Sequence, residues 1–412
     1  MKKPNEKINH LAMNLTTGYP YWLIKNGLPE NYPKLNHDIK TDIVIIGGGI
    51  SGALTSYYLV NAGLHCTLVD ARTIGLGSTC ASTSLLQYEL DKPLKTLTDL
   101  IGWSSASRVY QLCGHSIDTL EHISKKIKFK HFTKRPSLFF AAHTKDNKLL
   151  LDESILRKKA GFDVIHLNQS EIINNYGFSA PSGILSAQAA STDAYMLTHA
   201  LLKESSRKGL TVFDRTSIQK IKYHSRSVQL IAENGCCISA KKIVNASGYE
   251  ITEFINKQIV SLHSTYALAS EHIEDHNPIW KDNVLLWNTA DPYLYLRITD
   301  DNRIMVGGRD EQFYNPKKRD KLISHKSSLL KKDFLKLFPA LDFKTEFTWT
   351  GTFGTTKDAL PYIGTYHKTP HTYYALGFGG NGITFSVIAA EIIRDLILGK
   401  KNKNAGLFSF AR

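Results

Sequence analysis

The residues with the clearest chemical meaning are three glycines near the start of this 412-residue chain. Gly47, Gly49 and Gly52 stand at the spacing G-x-G-x-x-G, directly after the apolar run 43–46. That run is typical of a short strand buried on both faces, and residues 53–61 continue as a predicted helix. Glycines at these positions allow a tight turn, close approach of the backbone to a diphosphate, and close packing of helix on strand.

Asp70 completes the pattern, because it follows directly on the second predicted strand, residues 65–69. A carboxylate at that strand end accepts hydrogen bonds from the hydroxyl groups of a ribose. The free N–H groups and partial positive charge of the helix N-terminus suit an anionic diphosphate. Strand, glycine turn, helix and acid in this order predict a dinucleotide site, since an ordinary glycine-rich turn would not require all four.

Length and composition limit the remaining functions. A chain of 412 residues predicts about two domains, and 42% hydrophobic with 21% charged residues is typical of a globular protein. No apolar run approaches the roughly 20 residues of a membrane span, and the N-terminus lacks the apolar stretch of a signal peptide. The five cysteines fit neither a zinc site nor a disulfide framework. We therefore expect no metal and a reduced, cytoplasmic setting.

The formal net charge of +14 raises the question of a nucleic-acid partner. The lysines are scattered along the chain, and neither a long basic tract nor a nucleic-acid motif is present. Such a distribution predicts a solvated surface with some attraction for anionic molecules, and no nucleic-acid partner.

The order of predicted elements indicates α/β structure at both ends and a β-rich insertion between them. Residues 1–40 form an irregular lead that carries several aromatic residues. The predicted fold class is α/β, a discontinuous Rossmann-like dinucleotide domain with a β-rich (α+β) substrate domain inserted. We assign residues 41–115, 183–260 and 340–412 to the dinucleotide domain, and residues 116–182 and 261–339 to the substrate domain.

Four segments, taken in chain order, resemble one protein family. They are IVIIGGGISG with Asp70, GLGSTCASTS, KKIVNASGYE, and GTFGTTKDALPYIG followed by YYALGFGGNGI. Together they resemble the D-amino acid oxidase and glycine oxidase family of FAD-dependent oxidoreductases, which includes sarcosine oxidase and γ-glutamylputrescine oxidase. The resemblance covers about residues 41–400 and implies FAD as the cofactor.

The resemblance implies where FAD lies. The first three glycines would contact the pyrophosphate and Asp70 the adenosine ribose, while the strand that begins at Ile218 borders the adenine. The glycines of GFGGNGI free the backbone to turn N–H groups toward the flavin, where negative charge develops on reduction. The predicted cofactor-binding residues are Gly47, Gly49, Ile50, Ser51, Gly52, Asp70, Ala71, Arg72, Gly77, Ser78, Thr79, Ser82, Thr83, Ile218, Ala246, Ser247, Gly248, Gly351, Phe378, Gly379, Gly380, Asn381, Gly382 and Ile383.

The substrate end departs from the family pattern. Phe353 stands where glycine and D-amino acid oxidases have an arginine that clamps the substrate carboxylate, and about Thr384 stands where sarcosine oxidases have a carboxylate-binding lysine. Phe353 also cannot hold a flavin covalently, so FAD should be non-covalent. A buried carboxylate needs a charged partner. Either the substrate lacks a carboxylate at that spot, or another cation binds it, the candidates being Arg297, Arg309 and Lys357. In sarcosine oxidases a lysine over the flavin promotes its reaction with oxygen, and Met305 stands near the corresponding position here. The resemblance therefore leaves open whether oxygen or another molecule accepts the electrons.

The family reaction removes a hydride equivalent from a carbon that bears an amine, and it gives an imine. The expected partner is accordingly a small-molecule amine or amino acid. Two alternatives are an FAD domain acting in tRNA base modification and a non-catalytic FAD-binding redox sensor. No catalytic residue is assigned, and the candidate residues of the substrate pocket are Tyr266, Tyr295, Arg297 and Phe353.

Overall fold

A computed structural model describes residues 13–253, 255, 259–274 and 279–412 of the chain. The first twelve residues of the predicted lead, and residues 254 and 256–258 of the predicted dinucleotide domain, therefore lie outside the described residues. So do residues 275–278 of the predicted substrate domain. Within the described ranges the chain forms eighteen β-strands and eleven α-helices.

The strands follow one another from the N-terminal lead to the C-terminal segment. They are β1 (Thr16–Gly18), β2 (Ile39–Ile46), β3 (Cys66–Val69), β4 (Leu85–Gln87), β5 (Phe132–Phe140), β6 (Val164–Asn168), β7 (Ser182–Thr192), β8 (Thr211–Phe213), β9 (Ile218–Tyr223), β10 (Val228–Ala232), β11 (Cys237–Asn245), β12 (Ser261–Ser270), β13 (Leu285–Asn288), β14 (Tyr295–Ile298), β15 (Ile304–Glu311), β16 (Thr345–Thr355), β17 (Tyr362–Thr365) and β18 (Thr372–Leu376).

The helices are interspersed among these strands. They are α1 (Tyr21–Asn26), α2 (Ile50–Asn61), α3 (Ser78–Ala81), α4 (Leu94–Ile101), α5 (Trp103–Lys126), α6 (Asn147–Lys159), α7 (Gln169–Tyr176), α8 (Ala194–Arg207), α9 (Pro316–Lys321), α10 (Ile323–Leu337) and α11 (Gly382–Ile397). None of these described helices combines the length and apolarity that crossing a bilayer requires.

An eight-stranded sheet contains the glycine motif. Its order is β17-β18-β11-β2-β3-β8, and β10 joins β9 to the side of β11. The pairs that β2 makes with β11 and β3 are parallel. Residues 43–46 are buried in the middle of this sheet, with α2 packed between α8 and α11. Parallel strands covered on both faces require such an unbroken β-branched run, which confirms the predicted α/β fold class.

The second sheet of the molecule has ten strands. Its order is β1-β16-β12-β15-β14-β13-β5-β7-β4, with β6 paired to β7. All of its described pairs are antiparallel except β13 with β5. One face buries Leu330 and Phe334 of α10 in a second apolar core. The sheet thus forms the β-rich part of the molecule and faces the nucleotide-type sheet across a cavity.

Three strands of the ten-stranded sheet come from segments that we assigned to the dinucleotide domain. They are β4, β16 and β7 apart from its first residue, Ser182. The assigned domain boundaries remain a prediction. The expectation of an irregular lead is wrong for residues 16–18 and 21–26, because β1 extends the sheet at β16 and α1 buries Tyr21 and Trp22, whereas residues 27–38 contain neither helix nor strand.

Candidate cofactor and substrate site

One long cavity of about 300 Å³ lies between the two sheets. Its walls include the residues that follow the carboxyl ends of β2, β3 and β11, together with residues of β12, β14, β15 and β16. Ligands of open α/β sheets bind outside the carboxyl ends of parallel strands, so the first set of walls is where a nucleotide is expected. The ten-stranded sheet closes the opposite end.

Close backbone contacts leave room only for glycine at two positions of the first motif. Gly47 has φ +110°, and a Cβ there would lie 2.4 Å from the carbonyl oxygen of Ala246. A Cβ on Gly52 would lie 1.8 Å from the carbonyl oxygen of Gly47. Both contacts exclude a side chain: the first keeps the end of β2 close to the end of β11, and the second keeps the start of α2 close to the end of β2.

The N-terminus of α2 is open toward the cavity. Its N-cap is Gly49, which has no side chain to accept from the first N–H groups, and its first turn carries no acid. The first N–H groups of an α-helix have no partner inside the helix. Ile50 and Ser51 of this turn line the cavity. The N–H of Ile50 donates to the hydroxyl oxygen of Thr79 at 3.1 Å, so this turn offers the N–H of Ser51 and the partial positive charge of the helix N-terminus to a diphosphate.

Asp70 lies beside this turn and accepts hydrogen bonds from the backbone N–H groups of Gly48 and Arg72, the latter at 2.6 Å. Burial is the largest influence on this carboxyl group and raises its pKa to about 6. An ionised carboxylate has about four acceptor positions, so two remain for the hydroxyl groups of a ribose. Arg72, in turn, donates to Glu250 at 2.8 Å and to the carbonyl of Met13 at 2.7 Å.

The C-terminal glycine loop is anchored from two sides. The amide nitrogen of Asn381 donates to the carbonyl oxygens of Gln87 at 3.2 Å and Glu89 at 2.8 Å. The backbone N–H of Gly380 donates to Asp91 at 3.1 Å. α11 starts directly after this loop, without a side-chain cap or an acid in its first turn. A second helix N-terminus is therefore presented to the cavity.

The predicted cofactor-binding residues all line this cavity with the exception of Gly52, which lies behind it and shapes the turn. Side-chain-free turns and open helix N-termini are the features that a dinucleotide with two phosphates requires. The residues present therefore fit FAD. That these residues contact FAD remains a prediction.

Aromatic residues form the substrate end, by which we mean the part of the cavity lined by Thr265, Tyr293, Tyr295, Asp310 and Phe353. The rings of Tyr293 and Tyr295 lie 5.8 Å apart between centroids. The hydroxyl group of Tyr293 donates to Asp91 at 3.1 Å. Aromatic rings thus line this part of the cavity, and Tyr295 and Phe353 are among them; that they contact a substrate remains a prediction.

The structure corrects two of the predicted pocket residues. Arg297 is 1% exposed and does not line the cavity. Its guanidinium donates to the carbonyl oxygens of Thr83 at 3.1 Å, Ser84 at 3.0 Å and Thr192 at 2.9 Å. All three bonds come from Nη1, which thereby joins two backbone segments, and the side chain lies outside the cavity in which we expect the substrate. Tyr266 lies in the core beside α10, with its hydroxyl 3.4 Å from the carbonyl of Arg319.

The two remaining candidates on β15 also lie elsewhere. Arg309 forms a bidentate ion pair with Asp333, both bonds being 2.6 Å. Met305 is buried in an apolar cluster with Trp349 and does not line the cavity. Among the residues that the structure describes, Arg72 is the cavity's one cationic side chain, and Glu250 neutralises it. A carboxylate-binding cation is thus absent from the described substrate end.

Asp310 is the residue that the sequence analysis missed. Its Oδ1 atom is buried and has no hydrogen-bond partner. Burial raises the pKa of this carboxyl group to about 7. The available signal was the glycine pair 307–308 inside a strand pattern, which indicates a bulge that redirects neighbouring side chains.

The comparisons with known proteins agree with this geometry. Residues 42–396 match the DAO family, described as FAD dependent oxidoreductase. γ-Glutamylputrescine oxidoreductase of Escherichia coli is 21% identical over 89% of this chain and 86% of its own length. Glycine oxidase of Bacillus licheniformis is 23% identical over 90% of this chain and 96% of its own.

A solved structure shares the fold. The crystal structure of glycine oxidase from Geobacillus kaustophilus superposes with a TM-score of 0.77, at 17% identity, over 92% of this chain and 99% of that one. The family match spans most of the sequence and includes both glycine loops of the cavity. This chain therefore belongs to the DAO family of FAD-dependent oxidoreductases.

Proposed function

We propose that this protein oxidises a carbon–nitrogen bond of an amine or amino acid to an imine, with non-covalent FAD as the hydride acceptor. The observation that carries the proposal is one continuous cavity, with a dinucleotide cradle at one end and a ring-walled chamber at the other. Relatives named glycine oxidase and γ-glutamylputrescine oxidoreductase act on an amino acid and an amine, which supports this substrate range.

The electron balance of the reaction is simple. The substrate C–H bond breaks with its electron pair leaving as hydride, the nitrogen lone pair forms the second C–N bond, and one N–H proton departs. When bound, FAD supplies the acceptor for that hydride. Water then hydrolyses the imine to a carbonyl compound and the free amine or ammonia.

The residues of the cavity position the cofactor and the substrate and exclude water from the reacting carbon. The open N-termini of α2 and α11 offer donors to the anionic parts of the cofactor. Tyr293, Tyr295 and Phe353 present apolar surface to the reacting carbon and keep water away from it. Phe353 has no nucleophilic atom, in keeping with a cofactor held without a covalent bond at this position.

The test is anaerobic mixing of the FAD-loaded protein with a panel of amines and amino acids. Loss of the visible absorbance of oxidised flavin is the expected result with at least one of them. A fully loaded sample that none of them bleaches would refute the proposal. Admission of air after bleaching then separates oxygen from another electron acceptor, because only an oxidase regains its colour promptly.

A further inference from the structure

Asp310 reaches the cavity because β15 carries a bulge. β12 and β15 are paired at Ser264 with Glu311 and next at Tyr266 with Gly308, so two residues of β15 face one residue of β12. Within that bulge Arg309 has φ +58°, a left-handed conformation that is rare for a residue with a side chain. A bulge reverses the alternation of a strand, and here it places an acid in the cavity wall.

Helix α10 holds the bulge from outside. Asp333 binds the guanidinium of Arg309 through two bonds of 2.6 Å. Lys326 donates to the carbonyl oxygen of Arg309 at 3.0 Å and also binds the carboxylate of Glu311. The residues on both sides of Asp310 are therefore ion-paired to α10. Strain that persists under such restraint is characteristic of functional positions.

Asp310 itself has no such partner at Oδ1. The charged groups that act on it are Asp91 and Asp291, which disfavour ionisation, and Lys326, which favours it. The hydroxyl group of Thr265 also favours its ionised form. Burial of this carboxyl group, whose Oδ1 atom has no hydrogen-bond partner, costs stability. A bound cation would remove that cost.

We propose that Asp310 binds the ammonium group of the substrate, which is a cationic primary or secondary amine that needs no carboxylate for recognition. This inference rests on the proposed function and narrows its substrate class. Three observations support it: the carboxyl group of Asp310 lines the cavity with its Oδ1 atom buried and unpartnered, Tyr293 and Tyr295 line the same part of the cavity, and the described substrate end has no free cation. Aromatic rings attract a cation through their π-faces, which adds to the attraction of the carboxylate.

The same carboxylate can take the proton that the reaction must remove first. An ammonium nitrogen has no lone pair, so it loses one proton before the C=N bond can form. The carboxylate of Asp310 accepts that proton, which leaves a neutral carboxylic acid beside a neutral amine. Burial raises the pKa of Asp310 to about 7, and a base with a pKa near the working pH is an efficient one.

The experiment compares n-butylamine with 4-aminobutanoate, glycine and alanine, in anaerobic mixing with the FAD-loaded protein. The variants are Asp310→Asn and Asp310→Glu, with Asp342→Asn as a control for loss of one negative charge at an exposed position. We expect n-butylamine to bleach the wild-type flavin. Asp310→Asn should lose at least about tenfold in the apparent second-order rate constant, the worth of a charge-assisted hydrogen bond. Asp310→Glu should retain part of it, and Asp342→Asn all of it.

Binding of n-butylamine is measured separately from the rate constants, through the melting temperature of the protein. Removal of a buried, unpaired charge should leave the melting temperature of Asp310→Asn equal to or above the wild-type value, with full FAD loading. In the absence of oxygen, n-butylamine should raise the melting temperature of the wild type and not that of Asp310→Asn. The rate constant of the wild type should rise with pH and level off above about 7, where Asp310 is ionised, and this levelling should be missing in Asp310→Asn, whose rate constant should follow the fraction of neutral amine.

The outcomes separate the inference from the function on which it rests. Bleaching by amino acids without bleaching by n-butylamine overturns the inference and leaves the proposed function intact. Equal rate constants for Asp310→Asn and the wild type also overturn it. Absence of bleaching by every compound overturns both. If Asp310→Asn fails to load FAD, Asp310→Glu decides, since unchanged rate constants in that variant with its displaced carboxylate contradict a direct contact.

Discussion

Replacing Gly52 by alanine should weaken FAD binding although Gly52 does not line the cavity. The new Cβ would lie 1.8 Å from the carbonyl oxygen of Gly47, whereas real Cβ atoms essentially never approach another atom within 3.0 Å. The start of α2 must therefore retreat from β2 by about 1.2 Å at least. A hydrogen bond stretched by that amount is lost, and one bond to a charged group is worth about 1.5–3 kcal/mol. We expect the dissociation constant of FAD to rise at least about tenfold.

The assay is titration of the apoprotein with FAD, followed by the quenching of flavin fluorescence. Gly406→Ala is the matched control, because a Cβ at that exposed glycine meets nothing within 4 Å and its φ is not positive. The control should bind FAD like the wild type and be equally stable or slightly more so. Circular dichroism of both apoproteins checks that the fold is kept. Wild-type affinity in Gly52→Ala would refute the argument that this contact fixes the helix N-terminus.

Three further predictions concern charged groups. Arg157→Met leaves Glu153 buried without its 2.9 Å partner and should lower the free energy of unfolding by about 3–5 kcal/mol in chemical denaturation. Burial raises the pKa of Asp70 to about 6, and its ionised form is the one that we predict to accept from the ribose; the dissociation constant of FAD should therefore rise as the pH falls below about 6, and Asp70→Asn should abolish this dependence. Arg297→Met should lower the melting temperature without changing the order of preference among substrates, and a changed order would contradict its structural role.

The cofactor half of the site was predictable because its signals are local. Gly47, Gly49 and Asp70 belong to one strand–helix–strand unit, and the spacing of such a unit is set by backbone geometry alone. The C-terminal loop was predictable for a similar reason, since its glycines directly precede a helix. The sequence also predicted a β-rich insertion, although it could not predict that β1 pairs with β16. That pairing depends on residues far apart in the chain.

The substrate half was predicted less well because it depends on the bulge in β15. Simple alternation along a strand cannot tell that Arg309 turns out to Asp333 and Asp310 turns in, since the bulge shifts the alternation by one residue. The prediction that Arg297 binds the substrate failed for another reason. A lone arginine on a predicted strand gives no sign of the three carbonyl oxygens that surround it in the folded protein.

The strand order of the nucleotide-type sheet has a consequence for the folding of the chain. β2 carries the glycine motif and is made early, but its neighbour β11 ends at Asn245, and β18, the next strand beyond it, ends at Leu376. At ribosomal rates of about 5–20 residues per second, the interval between synthesis of β2 and synthesis of β18 is on the order of tens of seconds. Such long-range pairing is slow, and it leaves a hydrophobic strand edge exposed to other chains meanwhile. Chaperone binding and late capture of FAD are therefore expected to limit the yield of active protein during synthesis.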